Sequence, residues 1–422
     1  MFLIYRITTI IFYPFFILII YFRKLVQKES GKSCIEKLFS YSNKPLVKNK
    51  KVVWFHGASI GEIQSVIPII NYLIKTNKNI KILLTSTTLS SEKIIHSEFG
   101  KNKNVHHQYF PLDVPFLIKK FLNSWRPSIA IFIDSEIWPN FIFNIKKNKI
   151  PLILINGRIT KKSFNRWRLF SGLAKNVFSS FNLCFASSKN SHKNLKVLGA
   201  KNIKYFGNLK FITSLAKTNK ATNLSKNYYN KHKVWCAAST HKNEEIFCFE
   251  VHKKLKKTYN KILTIIVPRH IHRVEEIFEQ ATKLNLKTQI IKHGESINKG
   301  MEIVLINSFG VLNYYYDYCK SIFIGKSLEK KLISVSGQNP LEAARAGCKI
   351  YHGPYVYNFH EIYEFLSKIN ITKKINNTDE LAARLIQDFR TVKNINAKNI
   401  KKINIYGENI LKKTTKEIIK LI

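Results

Sequence analysis

Short apolar runs alternate with helix-like segments along most of the chain, and this alternation is the strongest constraint on its fold. In the first half, strands are predicted at residues 52–55, 80–85, 106–110, 128–133, 151–156 and 183–186. Nearly continuous apolar strands separated by helices are typical of a mostly parallel sheet. The pattern therefore predicts an α/β fold.

A second series of strands is predicted at residues 234–238, 262–267, 303–306, 321–324 and 349–351. A chain of 422 residues with 45% hydrophobic content is long enough for two cores. Polar residues 214–232 show little apolar periodicity and are interpreted as a linker. We expect Rossmann-like domains at residues 26–213 and 233–399. A basic amphipathic helix at residues 400–422 is expected to pack across the domain boundary.

The first 25 residues form a hydrophobic segment that is expected to act as a membrane anchor. Residues 7–22 carry no charge, and Arg23, Lys24 and Lys28 follow them. Basic residues at this position favour a cytoplasmic location for the rest of the chain. The alternative is a hydrophobic helix that packs on the first domain.

The composition predicts an anionic partner. Lys and Arg number 70 against 26 Asp and Glu, which gives a formal net charge of +44. Such a charge attracts nucleic acid, an anionic membrane or a phosphorylated substrate. Because the basic residues are spread along the chain, a specific nucleic-acid interface is disfavoured. The 6 cysteines include no C-x-x-C pair, so free thiols are expected rather than a metal site.

The segment of residues 50–71 combines a strand, a glycine-containing turn and the start of a helix. Glu62 lies in the first turn of that helix, near the place where open α/β sheets bind ligands. A helix N-terminus favours the ionised carboxylate, whereas burial favours the protonated form. Glu62 is therefore either a catalytic carboxylate or an ordinary complement to the helix dipole.

The strand ends of the second half carry groups suited to a nucleotide. Arg269 follows a predicted strand, and residues 336–342 form a glycine-containing loop that leads into a helix. Guanidinium groups and helix N-termini both bind phosphate, and Glu342 is a candidate partner for ribose hydroxyls. The alternative is that Arg269 pairs with Glu244 or Glu245.

Seven motifs appear in the order found in one enzyme family: HGASIGE, DSEIWPN, NGRITKKSF, GNLKF, AASTHKNEE, VPRHIHR and SGQNPLEAARAG. In these motifs the chain resembles the 3-deoxy-D-manno-octulosonic acid (Kdo) transferases of Gram-negative lipopolysaccharide assembly, and the hydrophobic N-terminus resembles their membrane anchor. The resemblance implies a GT-B fold, with two Rossmann-like domains facing across a cleft. It further implies transfer of Kdo from CMP-Kdo to the lipid A precursor, lipid IVA, at the cytoplasmic face of the inner membrane. CMP-Kdo is then a co-substrate, and neither a metal nor a cofactor is implied.

The resemblance also assigns roles to individual residues. Glu62 corresponds to the proposed general base, and Glu136 and Lys210 correspond to residues that support the transition state. The implied CMP-Kdo contacts are Pro268, Arg269, Phe309, Gly310, Val311, Asn339, Pro340, Leu341 and Glu342.

The chain departs from the usual family pattern at four positions, which are Asp134, Val311, Ser336 and Gln338. Two other functions stay open at this point. One is a GT-B enzyme that uses another nucleotide sugar, and the other is a non-catalytic, basic membrane-surface protein that binds lipid A.

Overall fold

A computed structural model of the chain describes residues 1–41, 50–212, 226–391 and 397–422. The chain forms two compact units. The first comprises Met1–Ser214 together with Tyr406–Ile422, and the second comprises Leu215–Ile405. Most of the predicted linker, residues 214–232, lies outside the described residues.

Within the described residues, the first unit contains a parallel sheet of seven strands. They are β1 (Lys51–His56), β2 (Ile80–Ser86), β3 (Val105–Tyr109), β4 (Ile129–Ile133), β5 (Leu152–Gly157), β6 (Leu183–Ala186) and β7 (Ile203–Lys204). Their order is β3-β2-β1-β4-β5-β6-β7. The order reverses between β1 and β4, and in open α/β sheets ligands bind beyond the carboxyl ends of the strands at this switch point.

Helices precede and connect these strands. They are α1 (Phe2–Ile11), α2 (Tyr13–Leu25), α3 (Gly31–Phe39), α4 (Ile60–Thr76), α5 (Leu89–Phe99), α6 (Pro115–Trp125), α7 (Pro139–Lys147), α8 (Lys161–Leu169), α9 (Ser171–Phe178) and α10 (Lys189–Leu198). A short 3-10 helix, Leu209–Ile212, follows β7.

The described part of the second unit has a parallel sheet with the same number of strands. They are β8 (Lys233–Thr240), β9 (Ile262–Pro268), β10 (Thr288–Ile291), β11 (Ile303–Ile306), β12 (Ser321–Ile324), β13 (Lys349–His352) and β14 (Thr372–Lys374). Their order is β10-β11-β9-β8-β12-β13-β14, which places the switch point between β8 and β12. The two parallel sheets confirm the predicted α/β class with two Rossmann-like domains.

The helices of this second part are α11 (Lys226–Asn230), α12 (Glu244–Lys256), α13 (Val274–Lys283), α14 (Leu312–Tyr316), α15 (Leu341–Arg345), α16 (His360–Lys368), α17 (Thr378–Arg390) and α18 (Ala397–Ile419). The first residues of α18 belong to the second unit, and from Tyr406 onward the helix belongs to the first. Three short 3-10 helices also occur, at Ile271–Arg273, Lys330–Val335 and Tyr357–Phe359.

An aromatic cluster fills the core beneath the first switch point. Trp54 on β1 lies 4.8 Å from Phe121, 5.2 Å from Phe132 and 5.7 Å from Phe141, measured between ring centroids. Its indole nitrogen also donates a hydrogen bond of 2.9 Å to Thr85 Oγ1 on β2. The packing and this bond together fix the relative positions of strands β1, β2 and β4. The candidate site lies at the carboxyl ends of these strands.

Prolines mark the starts of two helices. The hydrophobic N-terminus is not one helix: α1 and α2 meet near Phe12 at an angle of 54°, because Pro14 lies in the first turn of α2 and cannot continue a preceding helix. Likewise α7 begins at Pro139, so Glu136 lies in the turn before the helix rather than in it. No single described helix is long and apolar enough to cross a bilayer, although the bent pair α1 and α2 satisfies the criterion by length and composition.

The backbone of α18 passes very close to the 3-10 helix that carries Lys210. A Cβ atom added at Gly407 would lie only 2.3 Å from the carbonyl oxygen of Phe211. The rings of Tyr406 and Phe211 also pack edge to face, with centroids 4.8 Å apart. Glycine is therefore required at residue 407 for this approach.

We predict that Gly407→Ala destabilises the protein, because either α18 or the 3-10 helix must move away. Overpacking of this kind costs about 1–3 kcal/mol in the free energy of unfolding, or about 2–4 °C in Tm for each kcal/mol. Thermal denaturation measures the effect. Gly172→Ala is the matched control, since a Cβ atom at Gly172 in α9 meets no other atom within 4 Å. Equal Tm values for the two variants would contradict the prediction.

Candidate active site

Glu62 is held at the first turn of α4 by its own backbone neighbourhood. Its Oε2 accepts hydrogen bonds from the backbone N–H groups of Ala58 at 2.6 Å and Ser59 at 3.2 Å, and Ser59 caps the helix in return. Burial, together with the charges of Glu136 and Asp134, raises the pKa of Glu62 to about 7. The N–H groups act in the opposite direction, as expected for a helix start, but they do not outweigh burial.

Glu136 lies in the turn after β4 and is held by two ring N–H groups. Its Oε2 is 3.0 Å from Nε2 of the fully buried His56 and 2.7 Å from Nε1 of Trp138. Burial acts to raise the pKa of Glu136, but the hydrogen bonds from His56 and Trp138 outweigh burial and hold the pKa below its ordinary value. Glu136 is therefore an anion near neutral pH.

Thr85 determines how His56 is oriented. The Thr85 hydroxyl lies 3.0 Å from Nδ1 of His56, and the His56 ring stacks on Phe110 at 3.5 Å. Because the Glu136 carboxylate can only accept a hydrogen bond, Nε2 of His56 carries the proton that points toward it. The imidazole thus links the end of β1 to the turn after β4.

Asp134 and Lys210 complete the polar cluster. Asp134 follows β4 in a left-handed conformation with φ of 57°, and burial raises its pKa even though the charges of Arg158 and Lys210 oppose this. Burial lowers the pKa of Lys210, and the charges of Asp134 and Glu62 act against that change. The structure therefore brings Glu62, Glu136 and Lys210 into one electrostatic neighbourhood.

The 3-10 helix that presents Lys210 is fixed by Asn156 at the end of β5. The Asn156 side chain accepts a hydrogen bond of 3.1 Å from the backbone N–H of Leu209, and Asn156 itself has a left-handed φ of 54°. The same edge of the sheet therefore positions the cationic group and both carboxylates. Such a cluster is suited to removing a proton from a hydroxyl group and stabilising developing charge.

In the second unit, Arg269 is exposed directly after β9. Its guanidinium carbon lies 5.9 Å from the ring centroid of Phe309, and Pro268 is the last residue of the strand. The predicted alternative, a pair between Arg269 and Glu244 or Glu245, is not what the structure shows. Glu245 instead accepts two hydrogen bonds from Arg273, at 2.9 and 3.2 Å.

Glu244 joins the two strands at the second switch point. Its carboxylate accepts hydrogen bonds from four backbone N–H groups, those of His241, Lys326, Ser327 and Leu328, at distances between 2.6 and 3.1 Å. His241 and Lys326 follow β8 and β12, respectively. Glu244 therefore holds the ends of the two strands together. We assign it a structural role, because these backbone groups engage both of its carboxylate oxygens.

A concentration of positive charge surrounds this point. Burial, together with the charges of Lys326, His270 and Arg269, lowers the pKa of His241 to about 4, so this imidazole is neutral near pH 7. The rings of His241 and His270 lie 5.5 Å apart. The positive charges of Lys326 and Arg269 near these rings favour the binding of an anion.

The loop at residues 336–342 reaches the same edge of the sheet. The backbone N–H of Gly337, whose φ is 85°, donates a hydrogen bond of 2.7 Å to the carbonyl oxygen of Lys326. Asn339 accepts a hydrogen bond from the N–H of Leu341 at 3.2 Å. Helix α15 begins at Leu341, one residue after Pro340, and has only five residues.

The other predicted donor contacts lie in and beside this region. Phe309 is 71% exposed, Gly310 has a φ of 79°, Val311 is the residue directly before α14, and Glu342 is exposed.

Sequence reasoning missed the residues that hold the catalytic candidates in place. His56 was visible as the first letter of the HGASIGE motif, but its partner Glu136 is 80 residues away in the sequence. Trp138 and Asn156 likewise lie within the motifs DSEIWPN and NGRITKKSF, but the motifs do not show what these side chains bond to, and Thr85 lies outside all seven motifs.

The cysteines give no alternative chemistry in this region. All six are free, and five of them are buried. Among the described residues, no group of three or more His, Cys, Asp or Glu side chains could hold a metal ion.

Comparison with known proteins identifies one family. The family described as 3-deoxy-D-manno-octulosonic-acid transferase (kdotransferase) matches residues 33–213. A probable mitochondrial 3-deoxy-D-manno-octulosonic acid transferase of Arabidopsis thaliana is 31% identical over 76% of this chain and 72% of its own length. The 3-deoxy-D-manno-octulosonic acid transferase of Rickettsia typhi is 29% identical over 86% of this chain and 76% of its own length.

A solved structure shares the fold. The UDP-GlcNAc 2-epimerase of Neisseria meningitidis, bound to UDP-GlcNAc, superposes with a TM-score of 0.57 at 16% identity and covers 88% of this chain and 99% of its own. The likeness confirms the predicted fold class, with Rossmann-like domains of the GT-B type.

We predict that His56→Phe raises the pKa of Glu136, because the hydrogen bond that favours the ionised carboxylate is lost while burial is kept. Infrared spectroscopy during a pH titration follows the carboxylate band, which is assigned by its disappearance in Glu136→Gln. His252→Phe is the matched control, since His252 is also buried but bonds to Thr264 in the second unit. An unchanged Glu136 titration in His56→Phe would contradict the assignment.

Proposed function

The chain belongs to the family of 3-deoxy-D-manno-octulosonic acid (Kdo) transferases, and on this premise we propose that it transfers Kdo from CMP-Kdo to the lipid A precursor, lipid IVA. The observation that carries the proposal is the difference between two neighbouring carboxylates, since Glu62 has a pKa of about 7 whereas the pKa of Glu136 is held low. Two carboxylates tuned apart in this way are typical of an acid–base site.

Glu62 acts as the general base. A hydroxyl group on the lipid A sugar loses its proton to the Glu62 carboxylate as the oxygen attacks the anomeric carbon of Kdo. A base with a pKa near the working pH is the most effective, because a large share of it is ionised while it is still strong enough to accept a proton. Burial of Glu62 beside Glu136 and Asp134 supplies this tuning.

Glu136 and Lys210 stabilise charge rather than move the proton. Glu136 stays ionised through its bonds to His56 and Trp138, so it favours positive charge that develops at the sugar. Lys210 favours negative charge nearby. Fixed groups of this kind need no reorganisation during the reaction.

The second unit binds the donor. CMP leaves with negative charge on its phosphate, and Arg269 and Lys326 offer the cationic surroundings that this charge requires. The exposed ring of Phe309 provides a stacking surface for the pyrimidine. The loop that contains Asn339, Pro340, Leu341 and Glu342 borders the same edge of the sheet and is assigned to the nucleotide as well.

Transfer is proposed to need neither a metal nor a cofactor, since basic side chains are available for the charge of the departing phosphate.

The enzyme is proposed to act at the cytoplasmic face of the inner membrane, with the N-terminal segment in contact with the bilayer. There the net charge of +44 attracts the anionic leaflet and the phosphorylated acceptor, at about 1 kcal/mol for each well-placed Lys or Arg.

We predict that wild-type enzyme transfers Kdo from CMP-Kdo to lipid IVA in the presence of EDTA, with a rate that rises as pH increases through about 7, the pKa of Glu62. The sign follows because only the ionised carboxylate can accept the proton. Glu62→Gln should lose about 10²–10⁴-fold in turnover and the pH dependence, while CMP binding is kept. Glu98→Gln, an exposed glutamate on α5, is the matched control. Near-normal turnover by folded Glu62→Gln would falsify the base assignment.

We predict that Arg269→Ala weakens CMP binding by about ten- to a hundredfold, because a charge-assisted hydrogen bond worth about 1.5–3 kcal/mol is lost. Acceptor binding should change far less. Calorimetric titration with CMP measures the effect, and Arg390→Ala, at an exposed arginine that ends α17, is the control. Equal affinities of wild type and Arg269→Ala would remove Arg269 from the donor site. Tighter binding of UDP than of CMP would favour a different nucleotide sugar.

A further inference from the structure

We infer that α1 and α2 lie flat in one leaflet of the membrane instead of crossing it. In this arrangement, the outward apolar side chains of α1 and α2 form one surface with Ile35, Phe39 and Phe116 of the globular unit. We call this surface the membrane face. The inference deepens the proposed membrane location and rests on the proposed function only for its consequence for the acceptor.

Contacts between the N-terminal helices and the first unit extend along the whole segment. At the start of α1, the rings of Phe2 and Phe143 lie 3.7 Å apart. At the start of α2, the Tyr13 hydroxyl donates a hydrogen bond of 2.5 Å to the carbonyl oxygen of Leu38. After the end of α2, Glu29 accepts hydrogen bonds from Arg23 on α2 at 3.0 Å and from Lys37 on α3 at 2.7 Å, so it joins these two helices. A segment that crossed a bilayer would touch a globular unit at one end only.

Polar bonds in the middle of α1 strengthen the same conclusion. The Tyr5 hydroxyl donates to Asp113 at 2.8 Å, and Asn140 donates to the Thr9 hydroxyl at 3.0 Å. Asp113 is only 8% exposed and also accepts hydrogen bonds from the backbone N–H groups of Asn140 and Phe141. If α1 crossed the hydrocarbon core, either these bonds would break or a buried carboxylate would enter the core with it, and both are costly.

The exposed side chains of the same helices are apolar for the most part, with Arg6 and Thr8 as the polar exceptions on α1. Leu3 on α1 is 66% exposed, and Leu18 and Phe22 on α2 are 66% and 64% exposed. Monomeric soluble proteins rarely expose apolar side chains in such a continuous group. The occupant that fits this surface is the acyl region of a lipid leaflet, because basic side chains flank it. Lys24 and Lys28 are exposed just beyond it and match anionic headgroups.

The membrane face continues onto the globular unit. Ile35 and Phe39 are one helical turn apart on α3, so they share one side of that helix. Both are exposed, as is Phe116 on α6. The Phe116 ring packs edge to face on Tyr13, with centroids 5.0 Å apart, which joins α6 directly to the start of α2.

This arrangement places the membrane next to the candidate active site. Asp113 lies in the loop after β3, and Asn140 lies in the first turn of α7, only four residues after Glu136, so the anchoring bonds of α1 are formed at the carboxyl edge of the first sheet. Glu62 and Glu136 lie at that same edge. A lipid-linked acceptor would therefore keep its acyl chains in the leaflet while its sugar reaches the catalytic carboxylates.

Spin labels on the full-length chain test the orientation. Cys34 is replaced by serine, since the other native cysteines are buried, and one new cysteine is introduced at Leu3, Phe12 or Phe22. The chain is bound to vesicles of phosphatidylethanolamine and phosphatidylglycerol, and accessibility to oxygen and to a nickel chelate gives the depth of each label. All three labels are expected at about 5–10 Å below the headgroups.

Two outcomes would overturn the inference. In one, the label at Phe12 lies near the midplane while those at Leu3 and Phe22 lie near opposite surfaces, as in a spanning segment. In the other, all three labels are as accessible to the nickel chelate as a control label at Val197, an exposed apolar residue on α10. The vesicles contain neither CMP-Kdo nor lipid IVA. A negative result of the spin-label experiment is therefore distinct from a failure of the proposed reaction.

Charge substitutions test the part of the membrane face that lies outside the N-terminal helices. Phe39→Glu and Phe116→Glu are each expected to weaken binding to the same vesicles about tenfold, because an apolar side chain that enters the leaflet is replaced by a charged one. Val197→Glu, at a similarly exposed position, should leave binding unchanged. Binding of both Phe variants with wild-type affinity would exclude α3 and α6 from the face.

Discussion

The hydrogen bond between His56 and Glu136 is the interaction on which the arrangement of the first unit's site depends. It crosses the switch point of the sheet, since His56 ends β1 and Glu136 follows β4. Other contacts fix the orientation of each partner. Thr85 forms a hydrogen bond with the imidazole and Phe110 stacks on it, and Trp138 donates a hydrogen bond to the carboxylate. A buried polar pair of this kind is stable only when its remaining groups are also satisfied, and here the aromatic core beneath β1 supplies the rigid support.

This hydrogen bond helps to give two neighbouring carboxylates different pKa values. Glu136 has ring N–H donors and stays ionised, and its charge then helps to raise the pKa of Glu62. Lys210 and Asp134 form a second pair of opposite charges that moderates the field. The candidate base is therefore tuned by its neighbours and by burial, and not by the helix start, which acts in the opposite direction.

The second unit also joins the strands at its switch point through a carboxylate, but the charge at its sheet edge is positive instead of negative. This carboxylate belongs to the buried Glu244, and its oxygens accept hydrogen bonds from four backbone N–H groups. Basic side chains, including Arg269, then dominate the edge of the sheet. Two sheets of similar order thus present a candidate proton acceptor in one unit and a candidate anion-binding site in the other.

The sequence by itself determined the two parallel sheets and the motifs at their strand ends, because nearly continuous apolar runs must be buried within a sheet and their boundaries show where the strands stop. It did not determine which polar groups meet. Only the tertiary structure paired Glu245 with Arg273 instead of Arg269, bonded His56 to a carboxylate 80 residues away and laid α1 against Asp113. These contacts depend on strand order and on the direction of each side chain, and composition and spacing along the chain carry no record of either.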